Sequence, residues 1–115
     1  MKYDLEERTA KFGENVIDLL KKVRSSTVND SLIRQIIRSA TSIGANYIEA
    51  QASSSKKDFT NFFHHSLKSA NETKFWLAIL RDTGKCEEKK ADELLKELTE
   101  IANILGASIL TLKGK

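Results

Sequence analysis

Apolar residues recur at intervals of three and four along almost the whole chain, and not one proline interrupts them. Helical spacing of this kind gives each segment one apolar stripe that must be buried. Proline is the residue that most reliably breaks a helix, so its absence leaves long helices unopposed. No period-two alternation competes, and the pattern restricts the chain to packings of helices on helices.

Four segments follow. Over about 4–24 the stripe is Leu5, Phe12, Val16, Leu19, Leu20 and Val23, with acids early and Lys21, Lys22 and Arg24 late, as the helix dipole prefers. Ser25 to Asn29 interrupt it, and Asn29 or Thr27 is the expected cap of the next helix. The second segment, about 30–53, presents Ile33, Ile36, Ile37, Ala40, Ile43, Gly44, Tyr47 and Ile48. Its middle, Ser39 to Asn46, is rich in small residues; these weaken an isolated helix but admit a second backbone closely. Ser55 with Asp58 three residues later resembles a capping box and opens the third segment, about 56–82. Gly84 suits the left-handed residue after that helix, and the fourth runs over about 87–112. Short connections between helices of about 30–37 Å predict an all-α, up-down-up-down antiparallel four-helix bundle.

At 115 residues the chain is one domain, 1–115, and 40% apolar with 30% charged residues is globular composition. No run approaches the roughly 18 apolar residues of a membrane span. The first residues lack the apolar core of a secretory signal, and the single cysteine, Cys86, builds no disulfide framework. A cytoplasmic location is expected. The net charge of +3 is mild and spread along the chain; the excess lies around Lys56, Lys57, Lys68, Lys74 and Arg81. Lys56, Lys57, Lys68 and Lys74 are the candidate polyanion contacts, weak on one chain and stronger if repeated around a ring.

Enzyme chemistry is sparse. The glycines are scattered rather than gathered into a phosphate-binding loop. His64 and His65 are adjacent, point about 100° apart on a helix and cannot chelate one metal together. Neither has a glutamate three residues before it, as bundle di-metal sites require. The expectation is a non-enzyme with no catalytic residue, no metal and no cofactor. Polar groups on otherwise apolar stretches stand out instead: Arg38, Asn46 and Glu49 on the second helix, Asn71 and Glu72 on the third. They read as a network fixing register between helices or subunits, as a small polar binding site, or as solvated side chains. Tyr47, Ile48, Phe62, Phe75 and Trp76 lie off the main stripes and are candidates for an oligomer interface, unless wide helices absorb them into the core.

Residues 38–50, Arg-Ser-Ala-Thr-Ser-Ile-Gly-Ala-Asn-Tyr-Ile-Glu-Ala, with Ser55-Lys56-Lys57-Asp58-Phe59, residues 70–77 and Asp4 to Thr9, carry a family resemblance. The chain is similar to the bacterial four-helix-bundle proteins encoded in intervening sequences of 23S ribosomal RNA genes. The match is most specific at Arg38, Ser39, Ser42, Ile43, Asn46, Glu49, Asp58, Phe59, Glu72 and Trp76. Many members carry a proline between the first two helices, where this chain has Ser25-Ser26-Thr27-Val28. The resemblance implies a small cytosolic bundle assembling as a ring-like homopentamer. It extends to the accessory variability proteins of diversity-generating retroelements, more basic relatives that bind nucleic acid and a reverse transcriptase. The expected function is a non-enzymatic homo-oligomer associated with RNA or DNA; the alternative is a protein-interaction or assembly module without nucleic acid. A ligand binder using Arg38, Asn46, Glu49 and Glu72 is the third reading.

Overall fold

Asp4 starts the first helix by accepting the Glu7 backbone N–H at 3.2 Å, and α1 runs over Leu5–Leu20. In the computed structural model, which describes residues 4–114, three further helices follow: α2 (Thr27–Ala52), α3 (Lys56–Asp82) and α4 (Glu88–Lys113). Ser55 accepts the Asp58 N–H at 3.1 Å, as the capping-box pattern predicts. Gly84 has φ +69°, the left-handed turn that lets the chain reverse after α3.

The first connection differs from expectation. α1 stops at Leu20 because Lys22 and Val23 donate to the carbonyls three residues back, tightening the last turn and folding Val23 into the core. α2 then begins at Thr27, three residues early, with Ser26 as its cap in place of Asn29 or Thr27. The Asn29 side chain is committed elsewhere: its Nδ2 donates to the Arg24 carbonyl at 2.8 Å and braces the loop.

Each helix packs on two neighbours, α1 on α2 and α4, α3 on α2 and α4, which is the antiparallel up-down bundle. Phe12 and Val16 of α1, Ile36 and Ile43 of α2, Leu77 and Leu80 of α3, and Leu98, Ile101 and Leu105 of α4 meet in its interior. The α2–α3 seam is built from small residues. Buried Ser66 donates to the Ile43 carbonyl at 2.7 Å, and buried Thr73 donates to Ser39 Oγ at 2.9 Å. These two bonds satisfy hydroxyls that burial would otherwise penalise, and they set the register of α2 against α3. Among the described residues no helix is long and apolar enough to cross a membrane.

The α1–α4 seam is the thinnest of the four and has its own fastener. The Arg8 guanidinium donates to both Glu97 carboxylate oxygens, at 3.0 and 2.6 Å, and to Glu100 at 3.3 Å. The Glu97 hydrogen bond, joined by the charges of Glu97 and Glu100, raises the Arg8 pKa above its ordinary value, against the effect of burial. A double-mutant cycle of Arg8→Met and Glu97→Gln is expected to return a coupling of about 0.5–1 kcal/mol that shrinks in 1 M salt. Additive single losses would show that the pair holds nothing.

Candidate assembly surface and polar seam

At the rim of the α2–α3 seam, Arg38 of α2 is ion-paired with Glu72 of α3, and Gln35 adds a bond to Arg38 at 3.3 Å. The indole Nε1 of Trp76 donates to the same Glu72 carboxylate at 3.2 Å. One acid thus holds a cation from the facing helix and an aromatic from its own. The remaining candidates do not join it. Asn46 is spent on its own helix, its Nδ2 donating to the Ser42 carbonyl at 2.9 Å, while Glu49 and Asn71 are exposed. Eight residues separate Arg38 from Asn46, about 12 Å along the helix, which sequence spacing on one face cannot close. The cluster is therefore an ion pair with an anchored tryptophan at a half-exposed rim.

The apolar candidates divide the same way. Tyr47, Phe62 and Trp76 are half-buried against the protein's own core. The small seam residues bring α2 and α3 close enough for these large side chains to cover the gaps between them. Tyr47 packs on Phe63 with ring centroids 5.7 Å apart, and its hydroxyl pKa is pushed up by burial and by the nearby charges of Glu6 and Asp4. Ile48 and Phe75 remain in water, 52% and 59% exposed. Sequence reading missed three others. Ile37, placed on the core stripe, is 36% exposed because one residue, about 100° of rotation, separates it from buried Ile36. Val28 and Leu110 are also exposed, and neither breaks the periodicity enough to stand out.

The lysines do not form one patch. Lys56 and Lys74 share one stripe of α3, Lys57 and Lys68 another about 100° away, by the helical repeat. His64 and His65 are exposed, and among the described residues no group of three or more His, Cys, Asp or Glu is placed to hold a metal ion. The best-formed cleft, about 320 Å³ between α1 and α4, is lined by Asn15, Asp18, Lys22, Lys90, Glu93 and Glu97 among others. It is a groove of mixed charge with no nucleophile beside a base. Cys86, half-buried after α3, has its thiol pKa pushed up by burial, with Arg81 pulling the other way. Its reactivity is lowered rather than tuned for chemistry.

Fold and surface together define an antiparallel four-helix bundle distinguished by a tight small-residue seam and by apolar side chains left outside. Residues 1–107 match the family model of the 23S rRNA-intervening sequence protein, and the chain belongs to that family. It is also similar to a solved protein of unknown function from the S23 ribosomal protein family of Bacteroides thetaiotaomicron VPI-5482. The two are 33% identical and superpose with a TM-score of 0.80, over 91% of this chain and 97% of that one. No curated protein matches the chain.

Proposed function

We propose that this protein is a non-enzymatic, self-assembling bundle that works as an accessory or scaffolding protein, and that nucleic acid is engaged by the assembly rather than by one chain. The observation that carries the reading is the pair of large side chains in water, Ile48 and Phe75, on a bundle whose core is already complete without them. Exposed apolar surface of that kind marks sites that associate. The ring implied by the family resemblance would multiply the charge: five copies of +3 carry about +15 and repeat the Lys57–Lys68 stripe five times.

Light scattering on the purified chain is expected to return a multiple of 12.9 kDa, and a mass of 12.9 kDa overturns self-assembly. Filter binding of structured ribosomal RNA over a salt series should show affinity that falls steeply with salt. The split lysine stripes favour the second reading, a protein-assembly module without nucleic acid. Affinity no better than millimolar at low salt, from an assembled protein, selects it.

A further inference from the structure

The stripe of α4 that faces α1 outlasts it. Lys90, Glu93 and Glu97 line the cleft against α1, and Glu100 accepts from Arg8. Steps of three and four carry the same stripe on through Ile104, Ala107 and Thr111, with Ser108 beside it. Because Arg8 is bonded to Glu97 and Glu100, the start of α1, one turn earlier, stands level with Ile104. Beyond that level α4 runs on to Lys113 with no described turn of α1 facing it. The corner of the bundle there is a groove of about 770 Å³. Its second wall is Phe59 and Phe63 of α3, stacked with ring centroids 4.7 Å apart.

The chemistry of the stripe changes where α1 ends. It is charged up to Glu100 and uncharged from Ile104 on, and among the described residues none that lines the groove carries a charge. Such walls suit an apolar cover, since a charged one would lose its hydration without gaining a partner. The run that enters α1 starts at this corner. Residues 1–3, Met1-Lys2-Tyr3, lie outside the described residues and lead directly into Asp4, whose φ of −87° and ψ of 70° are not helical. Side chains of an extended run alternate, which groups Met1 with Tyr3 and sets Lys2 on the opposite side. Three extended residues reach about 10 Å. Ile104 to Thr111 spans about 10 Å of α4. Tyr47 links the two places, packing on Phe63 while its hydroxyl feels the charge of Asp4.

We infer that Tyr3 seats against the Phe59–Phe63 wall and covers the groove between α3 and α4, with Met1 beside it and Lys2 in water. The occupant is this chain's own entry segment. The contact therefore needs no second copy and stands apart from the self-assembly proposed above. It makes the end of the bundle four-sided again, with an aromatic ring in the corner where α1 offers no further turn.

Thiol labelling reads the cover. In a Cys86→Ser background, Ser108→Cys places a thiol in the groove with little change of shape. Adding Tyr3→Ser is expected to speed its reaction with a disulfide reagent about tenfold, while Tyr3→Phe keeps it slow and Lys2→Ser changes it by less than about twofold. Thr111→Cys repeats the series should Ser108→Cys lower the melting temperature. An unchanged rate with Tyr3→Ser, or an equal rise with Lys2→Ser, overturns the seat. Protection that depends on Tyr3 but disappears on dilution assigns the cover to a neighbouring chain and overturns it as well. Protection independent of protein concentration supports it.

Discussion

Phe12→Ala is expected to cost the fold about 3–5 kcal/mol, the usual loss for a fully buried phenylalanine. Phe12 is 1% exposed and is the largest anchor of α1, the shortest helix at 16 residues. α1 holds to α4 through the thinnest seam, so the cavity opens where few other contacts compensate. A domain of this size has about 5–15 kcal/mol in hand, so the change removes a large part of it. Urea unfolding should show the midpoint falling by about 2 M with an unchanged slope. Hydrogen exchange should show α1 amides losing protection before those of the α2–α3 seam. A loss below about 1 kcal/mol would mean that α1 is held by something other than its apolar stripe.

Gly44→Ala should carry a sign that depends on the residue facing it. In an ordinary helix interior the change stabilises by about 1 kcal/mol, because alanine has the higher helix propensity. Here a Cβ would stand 2.9 Å from Thr9 Oγ1 and 3.3 Å from Thr9 Cβ. Thr9 has little room to retreat: it is buried, and its hydroxyl donates to the Leu5 carbonyl at 2.6 Å. α1 and α2 must separate instead, and the net expectation is a loss of about 1–3 kcal/mol. In a Thr9→Ala background the hydroxyl contact is gone and only the Cβ at 3.3 Å stays, so the loss from Gly44→Ala should shrink toward neutral. Thermal melts of the four proteins in the cycle decide it. Equal effects of Gly44→Ala in both backgrounds would remove Thr9 as the cause.

Features with local causes were readable before any tertiary contact was known. Ser55 caps α3 because its partner, the Asp58 N–H, is three residues away, and Gly84 reverses the chain because its own backbone permits it. The start of α2 was less readable, since Ser25, Ser26, Thr27 and Asn29 are all competent caps within five positions. The Arg24 carbonyl chose between them by engaging Asn29, leaving Ser26 to cap. The polar candidates show the same divide. Helical spacing places Arg38 and Glu72 on plausible faces, but only the register of α2 against α3 makes them partners and leaves Asn46, Glu49 and Asn71 out.

The apolar period and the missing proline determine four helices and, with short turns, their antiparallel order, because both act within a few residues along the chain. Which large side chains stay in water is another matter, since it depends on how closely two helices meet. Ser39, Ala40, Ser66, Ala70 and Thr73 draw α2 and α3 together until Phe62 and Trp76 are covered, while Ile37 and Phe75, each one residue from a buried or half-buried neighbour, are turned outward. That rotation of about 100° is invisible to a periodicity broad enough to fit either residue. Only the packed bundle separates the residues that complete its core from those left in water.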